Sequence, residues 1–170
     1  MHLLDANSFI ESYNRYYALD ICPGFWDWLD GMASSGSVRS VMPVYGELVG
    51  KGDTLSDWVK SRRDDGRFLT VDDPATQAAF ARVVRHVNAG RATQLAKGRF
   101  LAKADPLLIA KAMVSGATVV TQEKEAPQAT NSVKIPDVCR AFGVPCVNTF
   151  DLLRTRGAQF VLPAVADVFG

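Results

Sequence analysis

Short apolar segments alternate with helix-type segments along this chain, and the alternation constrains the fold more than any other feature. A continuous apolar run such as residues 117–121 is typical of a strand buried on both faces of a parallel sheet. Strands separated by helices form βαβ units, so we expect an α/β protein with three layers, α/β/α, and a central, mostly parallel sheet. We predict its strands over residues 2–5, 38–42, 117–121 and 144–147.

Helix signals fill the segments between these strands. The S-x-x-E sequence from Ser8 to Glu11 is typical of a capping box and predicts the start of the first helix. Asp105 before Pro106 predicts an N-cap followed by proline at the first helical position. Residues 74–104 have helical spacing with an expected break at residues 88–90. Further helices are expected after Pro23, after Pro43, around residues 55–59, and over 136–142 and 150–154.

The size of the chain fits one domain. Its 170 residues are 48% hydrophobic and 22% charged, which is close to the average of globular proteins. We place a single domain at residues 1–157 and a tail at 158–170, whose apolar residues 160–165 either contact a partner or pack on their own domain. No apolar run approaches the ~20 residues of a membrane span, and the N-terminus lacks the basic start of a secretory signal. We therefore expect a cytoplasmic protein.

The residues that could do chemistry are mainly carboxylates. Cys22, Cys139 and Cys146 are scattered without a C-x-x-C motif, which is typical of buried thiols. The two histidines, His2 and His86, lie in no H-E-x-x-H motif, so an ordinary zinc site is not expected. The nucleophile elbow, the phosphate-binding P-loop and the dinucleotide-binding glycine motif are also absent.

Four acids fall at positions that an α/β fold brings to one edge. Asp5 and Glu123 follow predicted strands, whereas Glu47 and Asp105 lie in the first turns of predicted helices. Working groups of such folds collect beyond the carboxyl ends of the strands. Carboxylates gathered there repel one another unless a cation compensates, and oxygen ligands suit Mg²⁺ or Mn²⁺. Such an ion supports phosphodiester cleavage.

Each acid also has a purely structural explanation. Asp105 can cap a helix, and Asp5 can form a turn after its strand. Glu47 near a helix start is favoured by the helix dipole, and Glu123 with Glu125 fits a solvated loop. Only the joint placement of the four acids indicates a site.

Several segments resemble PIN domains, the nuclease fold of VapC-like toxins in bacterial toxin–antitoxin pairs. The likeness spans about residues 1–155, in order: LLDANSFI at 3–10, YGEL at 45–48, ADPLLIA at 104–110 and VVTQE at 119–123. More narrowly, FWDWL at 25–29 and KIPDVC at 134–139 resemble a PIN-like subfamily known mainly as a domain of unknown function.

The resemblance implies a metal-dependent endoribonuclease that is the toxin of a type II toxin–antitoxin pair. It implies Asp5, Glu47 and Asp105 as metal-holding acids, with Mg²⁺ or Mn²⁺ as the cofactor. Glu123 stands where the family has an aspartate, so we expect it at the metal too, directly or through a water molecule. Asn7 and Thr121 match positions that hydrogen-bond to the acids or to the phosphate. The implied partners are RNA, an antitoxin from a neighbouring gene that is a DNA-binding repressor, and a second copy in a homodimer.

A basic segment leads directly into Asp105. Residues 74–104 contain no acid, whereas residues 1–57 contain eight acids and three bases. A local basic surface can hold RNA although the net charge is only +1, and a solvated helical face is the alternative explanation. The predicted RNA-binding residues are Arg82, Arg85, Arg91, Lys97, Arg99 and Lys103. The tryptophans Trp26, Trp28 and Trp58 could stack on bases, but their apolar spacing favours the core.

Two other functions remain open at this stage. One is a PIN-like nuclease that processes RNA without an antitoxin, which a neighbouring gene for a small repressor would argue against. The other is a catalytically inert PIN-like interaction module, or a receiver-like domain. The set of four acids argues against an inert module, and residues 41–43 offer no aspartate that could accept a phosphoryl group.

Overall fold

A five-stranded parallel sheet forms the centre of the protein, which is described here by a computed structural model covering residues 1–161. Within those residues the strand order is β3-β2-β1-β4-β5. The central strand β1 pairs with β2 on one side, where Leu3 lies opposite Arg39, and with β4 on the other, where Leu3 lies opposite Val119. The strands are β1 (His2–Leu4), β2 (Val38–Val41), β3 (Phe68–Leu69), β4 (Thr118–Val120) and β5 (Cys146–Val147).

Helices cover both faces of the sheet. The chain moves from β1 outward to β3, then crosses back to β4 and β5. Right-handed crossovers in opposite directions place their helices on opposite faces, which gives the expected three-layer α/β/α fold. The helices are α1 (Ala6–Glu11), a π-helical segment (Ser12–Tyr16), α2 (Pro23–Ser34), α3 (Met42–Val49), α4 (Thr54–Lys60), α5 (Pro74–Ala89), α6 (Gln94–Leu101), α7 (Asp105–Ser115), α8 (Ile135–Ala141) and α9 (Thr149–Thr155).

Three local predictions are corrected by the structure. The capping box from Ser8 to Glu11 is wrong: α1 begins at Ala6, and Asp5 is its N-cap through a 2.7 Å hydrogen bond from the Ser8 amide. Asp105 is not an N-cap either, because Ala104 takes that position and Asp105 is the first residue of α7. Strand β3 was not predicted. It has only two residues, too few to show a period in the sequence.

The core lies between the sheet and its helices. Leu3, Val119 and Ile109 are fully buried, and burying one such side chain stabilises the fold by about 1.5–3 kcal/mol. Trp26 and Trp58 are also buried and pack edge to face, with ring centroids 4.7 Å apart, so these two rings belong to the core as the spacing favours. The three cysteines are free, and Cys139 is buried.

The described part of the predicted tail packs against the domain. The ring of Phe160 lies 5.8 Å from that of Tyr17 and 6.1 Å from that of Phe25, centroid to centroid. Val161 is exposed, and the rest of the predicted apolar tail lies outside the described residues. None of the helices in residues 1–161 has the length and apolar character needed to cross a membrane.

Candidate active site

The order of the strands reverses between β1 and β4, and two of the candidate residues follow these strands directly. Asp5 comes after β1 and Thr121 after β4. The Asp5 amide donates to the Val120 carbonyl at 3.1 Å, which brings the two strand ends together. In open parallel sheets, ligands bind in the crevice at such a reversal point.

Asp5 is a buried carboxylate held on both oxygens. Its Oδ1 accepts the Ser8 amide at 2.7 Å, and its Oδ2 accepts the Thr121 hydroxyl at 2.6 Å. Burial raises the pKa of Asp5 to about 6, although the hydrogen bonds from Thr121 and Ser8 oppose the shift. The Asp5 carboxylate is thus fixed in direction by two neutral donors, and no basic side chain among residues 1–161 forms an ion pair with it.

Asp105 is the acid around which the others gather. It is 9% exposed, and within residues 1–161 no hydrogen-bond donor reaches its carboxylate. Burial raises the pKa of Asp105 to about 7; the charge of Asp5 adds to this rise, and those of Glu47 and Glu123 contribute less. Lys103 acts in the opposite direction. All four predicted acids therefore lie close enough to interact, with Asp105 in their midst.

Glu47 connects α3 to the start of α7. Its Oε1 accepts the backbone amide of Ala104 at 2.7 Å, immediately before Asp105. The bond satisfies one of the amides that a helix start leaves without an internal partner. Glu47 thereby positions Asp105 as well as adding its own charge to the site.

Both carboxylate oxygens of Glu123 contact residues at the start of α8. Its Oε2 accepts the Ile135 amide at 2.9 Å, and its Oε1 lies 3.3 Å from Nζ of Lys134. Thr121 joins Glu123 to Asp5, because its Oγ1 accepts the Glu123 amide at 3.1 Å while its hydroxyl donates to Asp5. Asn7 is exposed on α1, and no hydrogen bond joins its side chain to the acids in the described residues.

The carboxylate oxygens of the four acids are ligands that suit a hard cation, but the side chains are not arranged around a single metal position. Only carboxylate oxygens are offered, and the two most buried acids have raised pKa values that a positive ion would relieve. However, in residues 1–161 no three His, Cys, Asp or Glu side chains are grouped closely enough to hold a metal ion already. The donor set fits Mg²⁺ or Mn²⁺, and binding would require the carboxylates to close on the ion.

A groove of about 440 Å³ runs past Asp105 and Glu123. Three basic side chains line it together with these acids: Arg99, Lys103 and Lys134. Positive groups beside carboxylates let a phosphate approach an otherwise repulsive pocket. We call this the basic groove.

The other predicted RNA-binding residues lie elsewhere. Lys97 is buried, and its Nζ donates to the Asn88 carbonyl at 2.8 Å, so its ammonium is used inside the fold. The guanidinium of Arg82 lies 5.6 Å from the centroid of the Phe142 ring. Arg85 is exposed on α5, and Arg91 donates to the side-chain oxygen of Gln128. Only Arg99 and Lys103 of the six line the basic groove.

The profile of a family described as "Domain of unknown function (DUF4411)" matches residues 2–160. The chain belongs to the DUF4411 family. No curated protein matches this sequence.

The fold of this DUF4411 protein is shared with a solved structure. The similar chain comes from the crystal structure of VapBC2 from Rickettsia felis bound to a DNA fragment from their promoter. The alignment has a TM-score of 0.52 and 15% identity, and it covers 86% of this chain and 97% of the other. At that identity the likeness shows a common α/β fold, in agreement with the PIN-like architecture expected from the sequence.

Sequence reasoning missed one member of the basic groove in this DUF4411 protein. Lys134 belongs to the KIPDVC segment of the resemblance and is not among the predicted RNA-binding residues, yet its ammonium lies against Glu123. The loop of residues 122–134 has no period, so nothing in its sequence reveals that it folds back onto the acids. A lysine directly before a helix that begins with Ile-Pro was the only available signal.

Proposed function

We propose that this DUF4411 protein is a metal-dependent endoribonuclease and the toxin of a type II toxin–antitoxin pair. The observation that carries the proposal is the environment of Asp105. Asp5, Glu47 and Glu123 all raise its pKa, while Arg99, Lys103 and Lys134 line the same groove. Unpaired buried carboxylates next to basic side chains are costly for stability and useful for phosphodiester chemistry.

Asp5 and Asp105 would hold the metal ion, with Glu47 and Glu123 around them. A bound Mg²⁺ or Mn²⁺ lowers the pKa of water and neutralises charge on phosphate oxygens. Thr121 and the Ser8 amide fix the direction of the Asp5 carboxylate. Glu47 fixes the start of α7 and with it the position of Asp105.

The basic groove would bind the phosphates of the RNA. Arg99 and Lys103 lie on or just after α6, which leads into α7, so the phosphate-binding groups and Asp105 share one continuous stretch of backbone. Lys134 adds a positive charge from the opposite wall, where Glu123 holds it. Water attacks the phosphate in line, and the products carry a 5′-phosphate and a 3′-hydroxyl.

The proposed partner is an antitoxin encoded next to this chain, a DNA-binding repressor that covers the acids. The support is the solved neighbour, which contains VapBC2 bound to a promoter fragment. A homodimer of this chain is part of the same proposal.

RNA cleavage tests the nuclease. Purified protein is incubated with total RNA and Mg²⁺ or Mn²⁺, and new 5′ ends are mapped for the wild type, for Asp5→Asn and for an EDTA control. We expect cuts at defined sites that disappear in the variant and with the chelator. Equal patterns from wild type and Asp5→Asn, with both proteins folded and free of antitoxin, would overturn the proposal.

Expression in bacteria tests the toxin role. The chain expressed alone should arrest growth, and Asp105→Asn should not. Co-expression of the protein from the adjacent gene should restore growth. Normal growth on expression of an active wild-type nuclease would separate the nuclease from the toxin role and contradict the latter.

A further inference from the structure

We propose that Tyr16 and Phe150 form a stacking site for an unpaired base of single-stranded RNA, on the side of Glu123 opposite the basic groove. The inference rests on the proposed nuclease function, because it assigns the form of RNA that the site accepts. It places one base contact next to the acids, in a region that carries no other assignment.

A second groove, of about 570 Å³, lies beyond Glu123. Its lining includes Arg15, Tyr16, Lys124 and Phe150, and it shares Glu123 with the basic groove. The two grooves thus meet at one residue of the acid site. A strand that enters the basic groove and passes the acids continues into this second groove.

This groove contains an aromatic pair in which Tyr16 is exposed to solvent and Phe150 is half-buried. The rings of Tyr16 and Phe150 meet edge to face, with centroids 5.1 Å apart and an angle of 75° between their planes. Tyr16 is 46% exposed, one of the more exposed large apolar side chains in the described residues. Neither Phe150 nor Tyr17, whose ring lies 6.3 Å away at an angle of 52°, stacks face to face on the ring of Tyr16. The exposed Tyr16 ring can therefore offer a π face to a base.

The neighbouring tyrosine shows that this exposure is specific to Tyr16. Tyr17 stacks on Phe25 at a centroid distance of 4.4 Å, and its carbonyl accepts the indole N–H of Trp26. Tyr17 therefore belongs to the core, and Tyr16 does not. Tyr16 is the last residue of a π-helical turn over Ser12–Tyr16, and such turns occur frequently at functional sites.

Two basic side chains in this groove offer contacts to phosphate beside the acids Glu11 and Glu123. Arg15 is exposed, with its guanidinium 3.2 Å from Glu11, and Lys124 is exposed on the opposite wall. Both can reach a phosphate while a base lies on Tyr16. Aromatic rings bind bases through their π faces, which are available only when the base is not stacked in a duplex. The occupant is therefore single-stranded.

Binding measurements without cleavage test the stacking site. A fluorescent 8-nucleotide single-stranded RNA and a blunt duplex of the same sequence are titrated in EDTA at low ionic strength. We expect Tyr16→Ala to lose about tenfold in affinity for the single strand, the usual scale for removing one base–aromatic stack. Tyr16→Phe keeps the ring and should stay within about twofold of the wild type, and duplex binding should be the same in both variants.

Ile21→Ala is the matched control, because Ile21 is 81% exposed and lies outside both grooves. Unchanged single-strand affinity in Tyr16→Ala would overturn the stacking site, and so would an equal loss on the duplex. A wild type that cleaves RNA while Tyr16→Ala binds normally would leave the nuclease intact and refute only this inference. Tyr16-dependent binding without any cleavage would support the stacking site and refute the nuclease. If Tyr16→Ala weakens only antitoxin binding, the groove is a protein site and the inference is wrong.

Discussion

Two groups of acids in this protein differ in the direction of their pKa shifts and in whether arginines pair with them. Burial raises the pKa values of Asp5 and Asp105 at the sheet edge, and no basic side chain in the described part of the chain pairs with either carboxylate. Burial alone would also raise the pKa of Asp30, but hydrogen bonds from Arg62 and Arg67 overcome this and lower its pKa. The carboxylates of Asp5 and Asp105 have no ion-pair partner among residues 1–161, whereas that of Asp30 is neutralised by two arginines.

The Asp30 group shows that the fold can pair its acids. Arg67 is buried and donates to both Asp30 and Asp65, while Arg62 contacts both oxygens of Asp30. Both guanidiniums lie over the ring of Trp58, at 4.2 Å for Arg62 and 4.8 Å for Arg67. Arg99 and Lys103 line the same groove as Asp105, but no basic side chain of residues 1–161 forms an ion pair with it, and this unpaired state indicates a functional role.

The largest expected effect is on catalysis at the unpaired acids. Asp105→Asn removes the charge around which the site is built while keeping its size. RNA cleavage with Mg²⁺ should fall by about 100-fold or more, the scale seen when an electrostatic contact to the reacting groups is lost. Initial rates on a labelled RNA measure this. The control Asp57→Asn, at an exposed acid of α4, should cleave normally. An Asp105→Asn variant as active as the wild type would refute the catalytic role of the unpaired acids.

The next effect is on stability at the paired acids. Arg67→Met should destabilise the fold by roughly 2–4 kcal/mol, because Asp30 and Asp65 lose a buried partner. Urea denaturation at pH 7 measures the change. Since the pKa of Asp30 is lowered on folding, its pairing stabilises the protein above about pH 4 and is lost on acidification. The gap between variant and wild type should therefore narrow below pH 4, and a constant gap would contradict the pairing.

Asp105→Asn, in contrast to Arg67→Met, should increase the free energy of unfolding. The pKa of Asp105 is raised on folding to about 7, so ionisation costs the folded state more than the unfolded one. Without divalent ions the variant should be more stable than the wild type by roughly 2 kcal/mol at pH 8, and by almost nothing near pH 4. Denaturation at both pH values checks this. A variant less stable than the wild type at pH 8 would mean that Asp105 is paired after all.

The smallest effect concerns the charges beside the acids. Lys103→Gln should weaken RNA binding about threefold at low salt and reduce the slope of log affinity against log salt by about 1. Fluorescence anisotropy over a salt series measures both. Lys60→Gln is the control, since Lys60 pairs with Asp57 on α4, away from the basic groove. If both variants show the same slope of log affinity against log salt, Lys103 does not contact the RNA phosphates.

Much of the architecture could be predicted because its signals are local. Strands β1, β2, β4 and β5 lie within the predicted segments, and the break predicted at residues 88–90 overlaps the last two residues of α5, ahead of the actual gap before α6. The start of α1 was missed because Ser8 with Glu11 imitates a cap, whereas strand β1 ends at Leu4 and makes Asp5 the cap. Strand β3 is defined by its pairing with β2. A strand of two residues is too short to show an alternating pattern in the sequence.

The division of work among the site residues could not be predicted. The strand-end rule led to the four acids, and the charges of the other three act on Asp105, although residues 1–161 contain no three such side chains grouped closely enough to hold a metal ion. The bond from Glu47 to Ala104 spans 57 residues, and the burial of Lys97 depends on the approach of α6 to the end of α5. Such contacts leave no mark in local spacing. The catalytic roles of the acids stay predictions.

Calorimetric titration with Mg²⁺ or Mn²⁺ at pH 7.5 tests the central claim most directly, namely that the unpaired acids serve a divalent ion. We predict that the wild type binds the ion and releases protons, because Asp5 and Asp105 are partly protonated near neutral pH. Binding should disappear in Asp105→Asn and persist in Asp57→Asn. A wild type that binds no ion, or equal binding by all three proteins, would contradict the account.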